Sequence, residues 1–367
     1  MKRTILITGA SGYLGSAISI DLSRDHHVIG IYRRRPSAAQ QKAACRARWK
    51  KGEISDADCL DSIFKGCRSN GAPIDYVIHF AAFTHFGEKW RDEYDDTNVI
   101  GTRNIVEAAI HYPNVRRILF AGSIAATPPP TPGTVLTEKT PAGGSVAYPK
   151  SKALGEQCLI ENAHRVPVAI LRIGGVFTDW CELPPLFSLM RLWSLPFLGR
   201  LMVGRGEAGF PYIHRDDLVA VVRRIIEKDD HLDPLETLIA SHRGCTRQKE
   251  LFPIIRRLAG KRLSPKPIHM SPVFAKIALH ARYRINTCLK QPTYERAWML
   301  DYVDRPLVVD STHTEEKLNW RPDPRRHILH RLPVLMHNFT TRRREWYARN
   351  IRRNNQEYVY YPDECIM

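Results

Sequence analysis

A tyrosine and a lysine stand four residues apart in the stretch VAYPKSKALGEQ, residues 146–157. Pro149 suits the first turn of a helix, and good helix formers follow it. Because positions i and i+4 lie on one face of a helix, the phenol of Tyr148 and the ammonium of Lys152 would be neighbours. A nearby ammonium favours the phenolate and lowers a tyrosine pKa from its usual value of about 10. The pair therefore predicts a general acid/base, the alternative being a surface pair without function.

A glycine-rich turn near the N-terminus is the clearest predicted ligand site. The apolar run Thr4–Thr8 is followed by Gly9, Gly12 and Gly15, and then by a helix-like segment. In a strand–turn–helix, such glycines permit a tight turn, close approach of the backbone to a pyrophosphate, and close helix–strand packing. The N-terminus of the helix adds partial positive charge for the phosphates. A dinucleotide site is therefore predicted, and its other residues in this turn are Ser11, Tyr13 and Leu14.

The second predicted strand, His27–Tyr32, ends in basic residues. An acidic residue about 20 positions after the glycines would bind a ribose 2′-hydroxyl and favour NAD. Arg33 and Arg34 stand there instead, and a guanidinium group pairs well with a 2′-phosphate. The sequence therefore predicts NADP. NAD is possible if these arginines only end a strand in solvent.

Strands and helices are predicted to alternate along the first half of the chain. Apolar runs at 75–80, 117–121 and 168–173 are separated by helix-like segments. This order implies an α/β fold with a doubly wound parallel sheet and right-handed crossovers.

The chain is expected to divide into three parts. Residues 1–178 would form the nucleotide-binding domain, with strands at about 205–245 crossing back to it. Residues 179–330 would form a smaller C-terminal α/β substrate lobe, and 331–367 a basic tail.

Composition narrows the classes of function. The formal net charge is +17, and arginines alternate with aromatic residues between Arg342 and Arg353. This pattern fits weak contact with an acidic membrane surface, although a helix with one charged face is the simpler interpretation, and no specific nucleic-acid partner is predicted. Eight cysteines lack metal-ligand spacing, and no apolar run is long enough to span a bilayer. We therefore predict no metal site and a cytoplasmic location.

Further motifs make the chain resemble the extended short-chain dehydrogenase/reductase family, which includes nucleotide-sugar epimerases, dehydratases and hydroxysteroid dehydrogenases. The resemblance covers roughly residues 2–322. In chain order the motifs are TGASGYLG, HFAA, NVIGT, FAGS, YPKSK, LRIGGVFT, YIHRDDL and DSTHTEEKLNWRP. The implied architecture is a Rossmann-type doubly wound parallel sheet with the smaller substrate lobe, and family members often form homodimers through a helix pair.

The resemblance also implies roles for individual residues. Tyr148 would be the catalytic acid/base and Lys152 its activator, while Ser123 would hold the substrate oxygen. The further cofactor contacts that the resemblance implies are Glu53, Ile54, Ala81, Ala82, Asn98 and Ile173. The substrate side would include His85, in the loop after the third strand of the alternation, and Phe210.

Two departures from the family pattern narrow the activity. Gly122–Ser123–Ile124 lacks the acidic pair that dehydratases carry. Phe210 occupies the position where epimerases tend to have an arginine for the diphosphate, and residues 183–203 suit an apolar pocket wall.

Three functions remain after these departures. The first is an NADP-dependent oxidoreductase that interconverts a secondary alcohol and a ketone on a partly apolar small molecule. The alternative is a nucleotide-sugar epimerase that uses the same residues. A third is a cofactor-sensing protein without turnover, against which the intact Ser123, Tyr148 and Lys152 argue.

Overall fold

The computed structural model describes residues 2–128, 130–131, 133–260, 266–288 and 295–357, with the backbone alone for 286–287 and 351–357. Seven parallel strands form its central sheet, in the order β3-β2-β1-β4-β5-β6-β7. The strands are β1 (Thr4–Thr8), β2 (His27–Tyr32), β3 (Arg48–Lys51), β4 (Tyr76–His79), β5 (Arg117–Ser123), β6 (Val168–Ile173) and β7 (Leu235–Ala240). The predicted doubly wound α/β fold is therefore confirmed. The strand order reverses between β1 and β4, and a crevice for ligands opens at such a point.

Helices cover both faces of this sheet, which explains why β1 is buried along its whole length and has three consecutive apolar residues at its centre. Helices α1 and α7 pack on one face, and α3, α4 and α5 on the other. The helices are α1 (Tyr13–Leu22), α2 (Ala38–Ala43), α3 (Ala57–Ser69), α4 (Gly101–His111), α5 (Ala147–Asn162), α6 (Pro184–Trp193), α7 (Arg215–Glu227), α8 (Gln248–Leu258), α9 (Pro272–Cys288), α10 (Thr312–Leu318), α11 (Ile328–Thr341) and α12 (Arg343–Glu357).

Pairs of short strands build much of the remainder. Three pairs are parallel: Gly175–Phe177 with Tyr212–His214, Leu201–Val203 with Ile268–Met270, and Val135–Leu136 with Val308–Val309. Gly209–Phe210 pairs antiparallel with Thr246–Arg247. Within the predicted returning segment 205–245, β7 joins the edge of the central sheet beside β6.

The segment expected to be a basic tail begins inside the packed lobe. The expected boundary at residue 331 falls within α11, whose apolar side chains belong to the same buried cluster as those of α6 and α8. Trp346 of α12 is fully buried. Asn350 donates a hydrogen bond to the carbonyl of Trp180 and accepts one from the N–H of Glu182. The first part of the segment is therefore folded, while the side chains of 351–357 and all of 358–367, including Cys365, lie outside the described residues.

In the described part of the chain, seven cysteines are present and none forms a disulfide bond. No helix in these residues is long and apolar enough to cross a membrane.

Replacing Trp346 by alanine tests whether α12 packs against the lobe. Loss of a fully buried indole costs about 3–5 kcal/mol, and we expect the free energy of unfolding, measured in urea, to fall by about that amount. Arg344→Ala, on the exposed side of the same helix, should change it by less than about 0.5 kcal/mol. Equally small effects of both substitutions would show that α12 is not docked.

Candidate active site

The glycine turn at the carboxyl end of β1 has no room for side chains at two of its positions. Gly9 has a φ of +64°, and a Cβ there would lie 2.7 Å from the backbone nitrogen of Ala81. At Gly15 a Cβ would lie 2.2 Å from the carbonyl oxygen of Gly9. The N–H of Gly12 closes the turn by donating to the same oxygen at 2.9 Å. The result is a side-chain-free cradle at the N-terminus of α1, as a bound pyrophosphate requires.

A buried hydrogen-bond chain connects this turn to the neighbouring strand β4. Thr8 Oγ1 lies 2.7 Å from His79 Nδ1 and accepts a bond from the N–H of Ala81. His79 Nε2 lies 3.1 Å from Thr102 Oγ1. Burial, with a smaller contribution from Lys152, lowers the pKa of His79 to about 3. His79 is therefore a neutral structural residue that fixes the ends of β1 and β4.

Asn98 connects the loop after β4 to the helix that carries the tyrosine. It lies in a π-helical turn, Tyr94–Ile100, a local geometry that is frequent at functional sites. Its Oδ1 accepts from the N–H of Phe83 at 2.7 Å, and its Nδ2 donates to Ser151 Oγ at 2.8 Å. Ser151 Oγ in turn donates to the carbonyl of Tyr148. Asn98, predicted as a cofactor residue, is placed here as a residue that positions the first turn of α5.

The three predicted catalytic residues line one cavity of about 1370 Å³ together with the glycine turn. Ser123 ends β5, and its Oγ accepts a bond from the N–H of Ala125. Tyr148 and Lys152 lie one turn apart on α5. The ring of Phe86 lies 5.1 Å from that of Tyr148, centroid to centroid. Residues far apart in sequence thus meet at the carboxyl edge of the sheet.

The ammonium of Lys152 is almost completely buried, with 3% of the residue exposed. Its Nζ lies 4.1 Å from the ring centroid of Phe120, close enough for a cation–π interaction. Burial lowers its pKa to about 8, although the nearby carboxylate of Glu156 opposes the shift.

Glu156 belongs to a buried ion pair that the sequence analysis missed. Its Oε2 accepts bonds from Nε and Nη2 of Arg172, at 3.2 and 2.9 Å. Glu156 follows Lys152 by four residues, and this spacing could have predicted that the two side chains are neighbours on one face of α5. The sequence does not indicate that Arg172, on β6, lies opposite.

Other predicted cofactor residues fall into two groups. Tyr13, Leu14, Ala82 and Ile173 line the cavity with Gly9, Gly12 and Gly15. Ser11, Ala81 and Ile54 do not. The carbonyl of Ser11 accepts a bond from Gln40, Ala81 packs on Gly9, and Ile54 is a core side chain against Gly101.

The basic residues after β2 lie at the surface. Arg33 and Arg34 are exposed, and Arg33 Nη1 lies 3.9 Å from Glu53 Oε2. Since this ion pair is exposed, it leaves the guanidinium group accessible to a phosphate.

The two predicted substrate residues differ in position. Phe210 lines the cavity, and its ring packs against Gly175. His85 is fully buried, its carbonyl accepts a bond from the hydroxyl of Tyr94, and it is not a cavity-lining residue. The expectation that His85 lies on the substrate side is therefore corrected, because the loop after β4 turns this residue inward.

The far end of the cavity is built by the C-terminal lobe. The predicted apolar segment 183–203 contributes much of its wall. Apolar lining residues of the lobe include Leu183, Leu189, Leu192, Leu201, Met202, Leu279, Met299 and Leu300. In the described part of the chain, no group of histidine, cysteine or acidic residues could hold a metal ion.

The chain is similar in sequence to curated proteins that include UDP-glucose 4-epimerases and a sterol demethylase protein. UDP-glucose 4-epimerase of Yersinia enterocolitica is 34% identical over 166 residues, 42% of this chain and 47% of that protein. The Streptomyces lividans enzyme of the same name is 30% identical over 154 residues, 41% of this chain and 45% of that protein. Sterol demethylase protein B of Methylococcus capsulatus is 27% identical over 229 residues, 61% of this chain and 66% of that protein. The chain thus spans about half the length of the two epimerases.

Solved structures share the fold over almost the whole chain. UDP-glucose 4-epimerase of Thermotoga maritima, with UDP-glucose, has a TM-score of 0.68 at 19% identity and covers 92% of this chain and 99% of its own. The Bordetella bronchiseptica enzyme WbmG, in complex with NAD, has a TM-score of 0.67 at 20% identity and covers 95% and 94%. Residues 5–239 match the model of the NAD dependent epimerase/dehydratase family. This chain therefore belongs to that family.

Proposed function

We propose that this protein binds NAD(P) along the cavity and oxidises an alcohol carbon of its substrate with Ser123, Tyr148 and Lys152. The observation that carries this proposal is their position on the wall of the cavity that begins at the glycine turn. The turn fits the cofactor because its cradle excludes side chains at Gly9 and Gly15. When bound, NAD(P) supplies the hydride acceptor.

The residues of the chain would handle the proton and the substrate oxygen. Ser123 would donate a hydrogen bond that orients this oxygen. Tyr148 would remove the hydroxyl proton as hydride leaves the carbon, and would return it in the reverse direction. The ammonium of Lys152 stabilises the phenolate form of Tyr148. Glu156, held by Arg172, favours the charged form of that ammonium.

A nucleotide-sugar epimerase is the function that the relatives support best, in preference to the net oxidoreductase predicted first. In an epimerase the oxidised carbon is reduced again, and no reduced cofactor accumulates. UDP-glucose 4-epimerases recur among the relatives in sequence and structure. Four arginines that line the cavity could bind a diphosphate, namely Arg191, Arg282, Arg296 and Arg343.

The second candidate is net oxidation or reduction of an apolar alcohol or ketone. Phe210 and the apolar lining of the lobe support it, because a diphosphate in an apolar pocket needs compensating charges. Epimerases tend to bind the diphosphate with an arginine at the position of Phe210. Arg205 and Arg215, which are close to that position in sequence and could replace it, do not line the cavity. Arg205 is exposed near Asp304, and Arg215 lies over the ring of Tyr13.

We also propose that the protein forms a homodimer and is located in the cytoplasm. Exposed apolar residues on and beside α5, Ile100, Leu154 and Ile160, support a contact between copies through the helices beside Tyr148. Analytical ultracentrifugation measures whether the protein is a monomer or a dimer in solution.

Replacing Tyr148 by phenylalanine tests the proton transfer. Loss of a general acid/base costs about 10²–10⁴-fold in rate, while cofactor binding, followed by fluorescence, should persist.

Analysis of the products separates the two candidate functions. With UDP-glucose an epimerase forms an epimer without net NAD(P)H, whereas an oxidoreductase changes NAD(P)H absorbance with an apolar alcohol or ketone. Tyr112→Phe is the matched control, because Tyr112 directly follows α4, its hydroxyl donates to Asp61 of α3, and it does not line the cavity. Full turnover in Tyr148→Phe would remove Tyr148 from the mechanism.

Replacing both Arg33 and Arg34 by alanine tests the choice between NADP and NAD. Charge-assisted hydrogen bonds contribute about 1.5–3 kcal/mol. We therefore expect affinity for NADPH to fall by about 10–100-fold, with little change for NADH. Arg35→Ala, in the same exposed run, is the control. If the wild-type protein binds NADH at least as tightly as NADPH, these arginines do not select the cofactor.

Replacing Lys152 by methionine should stabilise the folded protein at pH 7 while abolishing activity. Burial lowers the pKa of Lys152 in the folded protein from 10.5 to about 8. Below pH 8 the folded protein therefore bears the cost of burying a charged amine. Between about pH 8 and 10.5 only the unfolded chain keeps this proton, so the free energy of unfolding of the wild type should rise with pH. The shift corresponds to about 1–3 kcal/mol once the contact with Phe120 is allowed for. Urea unfolding at pH 7 and pH 10 measures this.

The exposed Lys150→Met is the control for the Lys152 substitution. A Lys152→Met protein that is less stable than wild type at pH 7 would contradict the assigned burial of the ammonium. Wild-type activity should fall above about pH 8, because the ammonium is then lost.

A further inference from the structure

An exposed apolar surface lies beside the cavity in the C-terminal lobe. We call it the lobe patch and define it by Leu195, Phe197, Leu198, Ile268, Val273, Phe274 and Ile277. Their exposed fractions range from 44% for Leu195 to 88% for Phe197. Single exposed apolar residues are common on proteins, but a contiguous group marks a surface for interaction.

The fold brings the two segments of the lobe patch together. Leu201–Val203 pairs in parallel with Ile268–Met270, and Leu201 is the partner of Ile268. The loop 195–198 leads into the first of these strands, and α9 follows the second after one residue. Since Leu195, Leu198 and residues of α9 also line the cavity, the lobe patch is continuous with the cavity wall.

Helix α9 is apolar on two faces. Ala275, Ala278 and Leu279 face the cavity. Phe274 and Ile277, on another side of the helix, are 66% and 61% exposed. A helix with an exposed apolar face next to basic residues is typical of segments that lie in a membrane interface.

The two segments that carry the lobe patch have charged residues of one sign. Residues 183–206 and 266–288 contain no aspartate or glutamate. Their lysines and arginines are Arg191, Arg200, Arg205, Lys266, Lys276, Arg282 and Arg284. Arg205 and Arg282 have acidic neighbours, Asp304 and Glu295.

We propose that the lobe patch docks this protein on the surface of an anionic lipid bilayer. The loop 195–198 and the exposed face of α9 would enter the interface, and the surrounding basic residues would contact the headgroups. A second copy of the chain is a poorer occupant, because a symmetric contact would bring two surfaces of the same positive charge together. For the apolar alcohol or ketone of the second candidate function, a cavity that opens beside the bilayer would offer a route that avoids water. Docking itself does not depend on which of the two functions holds.

Sedimentation with vesicles tests the proposal on the full-length protein without substrate. The vesicles contain phosphatidylcholine alone or phosphatidylcholine with phosphatidylserine. We expect wild-type protein to bind the anionic vesicles and to be released from them by high salt. The triple substitution Phe197→Ser, Phe274→Ser and Ile277→Ser should reduce the bound fraction at least tenfold. Leu235→Ser with Val135→Ser, two exposed apolar residues outside the lobe patch, should leave binding unchanged.

A charge variant and a folding check complete the experiment. Lys276→Glu with Arg284→Glu should weaken binding to anionic vesicles. Thermal unfolding and circular dichroism establish that each variant is folded. The proposal is overturned if wild-type protein does not bind anionic vesicles or if the folded triple variant binds as well as wild type. It is equally overturned if the patch substitutions abolish self-association or binding of an acidic protein but not vesicle binding. Because no substrate is added, this result is independent of the proposed catalytic activity.

Discussion

The buried ammonium of Lys152 is the interaction on which the candidate site depends. In the proposed mechanism the amine of Lys152 acts only while it is charged, yet burial favours its neutral form and lowers its pKa to about 8. Two contacts offset that tendency, the ring face of Phe120 and the carboxylate of Glu156. Glu156 is itself buried, and Arg172 compensates its charge. The site therefore requires three buried charges of alternating sign, those of Lys152, Glu156 and Arg172. Keeping them buried lowers the stability of the folded protein.

Positioning these charges requires rigid connections between elements that are distant in sequence. The hydrogen bonds of Thr8, His79 and Thr102 fix the switch point of the sheet, where the glycine turn lies. Those of Asn98 hold the loop after β4 against the first turn of α5. The dinucleotide cradle and the tyrosine are thus parts of one polar framework. A neutral histidine at its centre serves this framework, because a charged imidazole in that position would not be compensated.

The C-terminal lobe gives the cavity its chemical character. Its helices and short strands surround the substrate end with apolar side chains, and some arginines lie among them. The family alone does not determine which of these features selects the substrate, since the curated relatives include both UDP-glucose epimerases and a sterol demethylase protein. The proposed docking surface of the same lobe is continuous with this cavity wall, and its two segments carry basic but no acidic residues.

The sequence by itself determined those features that local spacing controls. The strand–turn–helix with its three glycines, the helical pair Tyr148 and Lys152, and the alternation of strands and helices follow from backbone sterics and periodicity. Tertiary structure alone decided which side chains face one another. Arg172 meets Glu156 across two elements. His85, predicted on the substrate side, and Ile54, predicted to contact the cofactor, are both buried, and Trp346 anchors a helix within the predicted basic tail. Local pattern fixes the conformation of a segment, but contacts between segments depend on how the whole chain packs, and that information is not contained in any one stretch of residues.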